Sequence, residues 1–154
     1  DNGERAIFFA RGVLETVKKL RWAPDVIHCQ GWISQILPIY LKKAYKDDPI
    51  FSNSKVVLSL YDDTPEIFSE DLKARVLFGG VSEEDVEILA EPTGINVAKL
   101  AVDYSDGVIL GAEGVAPELV EYCKSKGCPV LPYDAQALED GSYIETYNSF
   151  YDNL

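Results

Sequence analysis

Seven residues, Lys55-Val56-Val57-Leu58-Ser59-Leu60-Tyr61, crowd branched and aromatic side chains into one run, and the acidic turn Asp62-Asp63-Thr64-Pro65 follows at once. A short apolar run bounded by turn residues predicts a strand. Asp25-Val26-Ile27-His28-Cys29, between Pro24 and Gly31, has the same form and suits a strand buried on both faces. Gly107 to Leu110 is a third such run and Cys128 to Leu131 a weaker fourth. Between them lie segments of helical period. Glu4 to Leu20 repeats Ala6, Ala10, Val13, Leu14 and Val17 at three- and four-residue steps, and Trp32 to Tyr45 does so with a kink or late start predicted at Pro38. Further helices are expected over Glu66 to Gly80 (a helix or lid), Ser82 to about Glu91, Asn96 to Asp103, Val115 to Lys126 and Ser142 to Asn153. Strands alternating with helices predict an α/β fold, Rossmann-like and three-layered, with a mostly parallel sheet. The chain reads as a single domain over residues 1 to 154.

Charge narrows the partners. Twenty-six acidic against fourteen basic residues give a net charge of −12, which repels phosphate backbones and anionic lipid. Nucleic acid and membranes are therefore not expected. No apolar stretch approaches the roughly 20 residues needed to span a bilayer. With three cysteines, Cys29, Cys123 and Cys128, one must stay unpaired, so a soluble, cytoplasmic setting is expected and no zinc site. The chain contains no methionine, and we expect a piece of a longer protein.

In parallel sheets, ligands gather beyond the carboxyl ends of the strands. Two ends carry polar residues: His28-Cys29-Gln30-Gly31-Trp32, with the only histidine, and Tyr61-Asp62-Asp63. If these strands are neighbours, an imidazole, an amide, an indole and carboxylates line one crevice, a composition suited to sugar hydroxyls. Each group also has a plain structural use. A lone histidine often serves as a hydrogen-bonded structural residue, Trp32 as boundary packing, and Asp62-Asp63 as turn chemistry. No phosphate-cradling glycine loop, zinc-protease helix or serine elbow occurs.

Taken in order, Asp1-Asn2-x-x-Arg5, Pro24-Asp25-Val26-Ile27-His28-x-x-x-Trp32, Pro38-x-Tyr40-Leu41, Lys55 to Leu60, and Lys99-Leu100-Ala101-x-Asp103-Tyr104-Ser105-Asp106-Gly107-Val108 resemble the amino-terminal lobe of glycogen and starch synthases. The resemblance spans about residues 1 to 122. It implies one lobe of a GT-B fold, in which paired lobes close over a nucleotide-sugar donor, ADP-glucose or UDP-glucose, and an α-1,4-glucan acceptor. No separate cofactor or metal is implied. The family's lysine-bearing glycine loop is expected to precede Asp1, and its donor-binding lobe to follow Leu154.

Two family motifs are changed. Where the family carries H-x-H-D-W, this chain has Gln30 for the second histidine and Gly31 for the aspartate; where the family has His-Asn, it has Tyr61-Asp62. A phenol, with an intrinsic pKa near ~10, handles protons less well at neutral pH than an imidazole. No catalytic residue is therefore assigned, the family positions being held by Gly31 and Tyr61. The resemblance leaves His28, Gln30, Trp32, Tyr61 and Asp62 as substrate-binding candidates, with His28 and Tyr61 expected at adjoining strand tips around one hollow. The chain by itself is expected to be an inactive glucosyltransferase segment; the alternatives are a non-catalytic relative that binds glucan or a protein partner, and a bare scaffold. The aromatic stretch Tyr143 to Tyr151 is expected against a missing segment or a neighbouring subunit.

Overall fold

The computed structural model describes all residues from Asp1 to Leu154. Four parallel strands form one sheet in sequence order: β1 (Val26–Gln30), β2 (Lys55–Leu60), β3 (Gly107–Leu110) and β4 (Val130–Leu131). The register sets His28 opposite Val57 and Val57 opposite Gly107. Seven helices accompany the strands. These are α1 (Asn2–Lys19), α2 (Leu37–Ile39, widening into a π-helical turn over Tyr40–Ala44), α3 (Leu72–Arg75), α4 (Gly94–Asp103), α5 (Pro117–Ser125), α6 (Ala135–Asp140) and α7 (Tyr143–Asp152).

Strand order decides where the helices go. Each crossover between parallel neighbours is right-handed as a rule, so a sheet that grows in one direction collects its connecting helices on one face. That face holds the core. Cys29, Val56, Leu58, Leu60 and Val108 point into it and meet Ala6, Ala10 and Leu14 of α1, Tyr40 and Leu41 of α2, Leu100 of α4 and Leu119 of α5. The amino end of β2 is pinned there by Asp106, whose Oδ2 accepts the Val56 N–H and a Lys42 Nζ–H, both at 2.8 Å.

The opposite face carries His28, Val57, Ser59 and Ile109, and α7 lies across it. A Cβ at Gly107 would stand 2.9 Å from both Phe150 and Leu154, so glycine at that position lets the helix approach the sheet closely. The expected external partner for the Tyr143 to Tyr151 stretch is thus replaced by the chain's own sheet: Tyr147 and Tyr151 both meet the His28 ring edge-on at 5.8 Å. The imidazole is fully engaged. Its Nδ1 is 2.7 Å from the Tyr151 hydroxyl and its Nε2 2.6 Å from Ser59 Oγ.

Other expectations also change. The helix expected over Glu66 to Gly80 shrinks to the single turn of α3, because the Phe68 N–H donates to the Pro92 carbonyl and Ile67 bridges to Thr93, which holds the first half extended. Ser82 and Asp85 exchange hydrogen bonds at the start of the next expected helix, but the segment Glu84–Ala90 is 3-10 helix with Glu83 at its N-cap and a break at Val86. In the Trp32 to Tyr45 stretch a short 3-10 turn, Trp32–Ser34, precedes the late start at Pro38. Helix α6 was not expected; Asp134 caps it and Gly141 ends it in the left-handed conformation.

Burial lowers the His28 pKa from its ordinary 6.5, so the folded chain favours the neutral ring. The unfolded chain therefore takes up the proton first, and this contribution to stability is complete above pH 6.5 and is lost as pH falls below it toward the folded value. Urea unfolding should give lower stability at acidic pH than at neutral pH, with His28→Gln flattening part of that slope. Tyr151→Phe, which removes one hydrogen bond to the ring, should cost about 1 kcal/mol at neutral pH; an unchanged midpoint would mean the contact does not hold α7 in place.

Candidate functional site

Because all four strands are parallel, their carboxyl ends open on one edge of the sheet, where the loops after β1, β2, β3 and β4 meet. Gly31 turns the first loop with φ 82 and ψ 163, a conformation essentially confined to glycine. The next residue is tethered across the edge: the Trp32 backbone N–H donates to Asp63 Oδ2 at 3.2 Å. The same oxygen stands 3.4 Å from where a Cβ on Gly31 would be. A carboxylate from the second loop thus faces the bare backbone of the first. Asp63 belongs to the acidic cluster visible after β2, yet sequence reasoning did not select it as a binding residue.

The other candidates separate into two groups. Gln30 is exposed at the end of β1, and Trp32 is half-buried with its ring tilted against Phe68 at 6.1 Å, so its indole serves the core boundary as well as the edge. Tyr61 lays its ring over Gly111, where an added Cβ would collide with it, and the Asp62 carboxylate points at Gly114, 3.2 Å from its would-be Cβ. Asp62 therefore faces the loop after β3, whereas Asp63 faces the loop after β1. His28 departs from the expectation of a strand tip. It sits two residues before the end of β1, half-buried under α7, with Tyr147 edge-on to its ring at 5.8 Å.

What this arrangement can do follows from access and charge. The hydrogen-bonded pair Ser59–His28 has the distances of a nucleophile and its base, but Ser59 is 1% exposed, so no reacting carbon can reach its Oγ. No three His, Cys, Asp or Glu side chains converge on a point that would hold a metal ion. The loops along the edge contain Asp62, Asp63, Glu66, Glu113 and Asp134 and, in residues 30–36, 61–66, 111–116 and 132–135, no lysine, arginine or histidine. Such an edge repels a diphosphate and accepts hydrogen bonds from hydroxyl groups.

The chain is similar to known proteins over most of its length. The family model of the starch synthase catalytic domain matches residues 1–130, leaving α6 and α7 outside the match. Glycogen synthase of Clostridium perfringens (strain 13 / Type A) is 34% identical over 129 residues, covering 77% of this chain and 25% of the relative. That of Chlorobium limicola is 32% identical over 121 residues, covering 77% and 24%. The chain thus spans about a quarter of the length of these relatives. Among solved structures, the catalytic domain of Starch Synthase IV from Arabidopsis thaliana, bound to ADP and acarbose, superposes with a TM-score of 0.61 at 15% identity, covering 89% of this chain and 31% of that one. This structural likeness establishes the shared fold, one Rossmann-like lobe of the GT-B type. No helix of the chain is long and apolar enough to cross a membrane. With the family model matching 130 of its 154 residues, the chain belongs to the starch synthase catalytic domain family.

Proposed function

We propose that the chain forms the acceptor side of a glycogen/starch synthase-type glucosyltransferase lobe, holding α-1,4-glucan along the carboxyl edge of its sheet without performing transfer by itself. The observation that carries this reading is the charge of the loops along that edge: several carboxylates and no lysine, arginine or histidine. In a reaction that moves glucose from a nucleotide-sugar such as ADP-glucose or UDP-glucose, the departing diphosphate requires positive charge or oriented N–H groups as its charge develops. The donor's phosphates therefore belong to other parts of the enzyme, while Gln30, Trp32, Asp62 and Asp63 offer the amide, indole and carboxylate contacts that sugar hydroxyls take. Tyr61 and His28 support the edge from below. The similar starch synthase structure holds ADP and acarbose, which agrees with a nucleotide-sugar donor and a glucan for this family member. The free thiols Cys29 and Cys123, pushed up to about 12 and about 11 by burial, suit a reducing compartment such as the cytoplasm.

A second reading, a non-catalytic glucan-binding relative, is favoured by the backbone at Gly31. The family's aspartate at this position would have to adopt φ 82 and ψ 163, which a side-chain-bearing residue rarely does. The loop is built for glycine, not merely emptied of a carboxylate.

Three measurements test these readings. Incorporation of labelled glucose from ADP-glucose or UDP-glucose into glycogen should be undetectable for this chain, and measurable turnover would overturn the assignment. Titration with maltoheptaose should perturb the Trp32 indole, followed in a Trp22→Phe background because Trp22 is 63% exposed; a flat response into the millimolar range would remove the glucan edge. Gly31→Asp should lower stability by about 1–3 kcal/mol and still give no transfer, whereas a stable, active variant would mean the backbone is free to rearrange.

A further inference from the structure

Helix α1 has two apolar faces, and the sheet uses one of them. Ala6, Ala10 and Leu14 are buried in the core, whereas Phe9, Val13, Thr16 and Leu20 recur at three- and four-residue steps on the outward side, with Phe8 beside them. Phe8 is 80% exposed and Leu20 69%, a concentration of bare apolar surface that marks an interaction site. Between this stripe and Ile33 of the turn after β1 runs a groove of about 510 Å³, and a Cβ on Gly12, which lines it, would meet nothing within 4 Å. We propose that this groove docks an acidic amphipathic helix of a partner protein.

Charge selects the occupant. Arg5 is the one charged residue that lines the groove, and no carboxylate does. Arg5, Lys19 and Arg21 are exposed and enter no ion pair, although the chain as a whole carries 26 acidic residues against 14 basic. Glu15, on the flank of the helix, is engaged elsewhere, accepting the Tyr45 hydroxyl at 2.6 Å. The chain continues past the helix with the same chemistry. Arg21 sits in the left-handed region at φ 53, where glycine is the usual stop, and Trp22 follows it exposed. Aromatic and arginine side chains are the ones that concentrate at the centres of protein interfaces. A partner helix with an apolar stripe fills the groove, and carboxylates flanking that stripe meet the three free cations.

Two other occupants are opposed by the same charges. A second copy related by a twofold axis sets Arg5, Lys19 and Arg21 against their own kind, and an anionic lipid surface is repelled by a body of net charge −12. The proposal stands apart from the glucan reading, because it uses none of the side chains assigned to the carboxyl edge.

The test is fluorescence anisotropy of a trace of labelled synthetic peptide of about 18 residues, long enough to run beside α1, with leucine at i, i+3, i+4 and i+7 and glutamate elsewhere, titrated with the full chain. Saturable binding is expected, and it should weaken about tenfold in Phe8→Ala and again about tenfold in the double variant Arg5→Gln/Lys19→Gln. Thermal unfolding should stay unchanged in both, because all three side chains are exposed. A peptide with lysine in place of each glutamate should not bind. The proposal is overturned if the acidic peptide does not bind, if the lysine peptide binds equally well, or if neither variant alters the affinity. It is also overturned if sedimentation shows a dimer that Phe8→Ala abolishes, which would give the face to a second copy. Binding to phosphatidylcholine–phosphatidylglycerol vesicles that is lost in the same variant would overturn it in favour of a membrane.

Discussion

The architecture depends on a sheet that grows in one direction. With β1 to β4 in sequence order and parallel, every connecting helix falls on the same face, and the opposite face has no crossover helix to cover it. Val57, Ser59 and Ile109 on that face are nonetheless buried, and α7 is the helix that meets it. The contact is partly polar: an imidazole with both nitrogens satisfied by hydroxyl groups, flanked by two tyrosine rings. A half-buried ring of this kind stabilises best when every polar atom has a partner, which is the condition met here.

That arrangement settles how chemistry is divided across the molecule. The one histidine, which in sequence looks like the first candidate for proton handling, is withdrawn into the support of the sheet. The exposed edge is left to amide, indole and carboxylate groups. An edge of this composition can bind and orient a polyhydroxylated ligand, but it lacks the positive charge that a departing diphosphate requires. The chain belongs to the starch synthase catalytic domain family, and the loops of this segment carry no group that would handle a departing diphosphate. The chain retains the lobe's scaffold, and Gly31 and Tyr61 stand where the resemblance leads one to expect a carboxylate and an imidazole.

Much of this was legible in the sequence, and the failures have physical causes. β1, β2 and β3 stand out because strands covered on both faces become continuous apolar runs, and the loops that follow them were correctly placed together because consecutive parallel strands lie side by side. The segment from Glu66 to Gly80 misled because Phe68, Leu72 and Val76 have helical spacing and are all buried, yet the Phe68 N–H is taken by Pro92 across the fold. Local period cannot report a partner 24 residues away. His28 misled for the same reason on a larger scale: its partner Tyr151 lies 123 residues along the chain, and nothing beside His28 announces it. Helix α6 had a usable signal in Asp134 and Gly141, the cap and the left-handed stop, but only six residues between them. Asp63 was visible as part of an acidic turn; its approach to Gly31 depends on the glycine backbone and could not be seen without it.

The central claim is that the second face of the sheet is closed by α7 and that His28 is part of that closure rather than of a ligand site. NMR titration of the His28 ring carbons and nitrogens tests it most directly. The account predicts a single neutral tautomer at pH 7, a midpoint below 6.5, and no response of the ring to saturating maltoheptaose. A midpoint at or above 6.5, with tautomers in exchange and a ring signal that moves with added sugar, would contradict it.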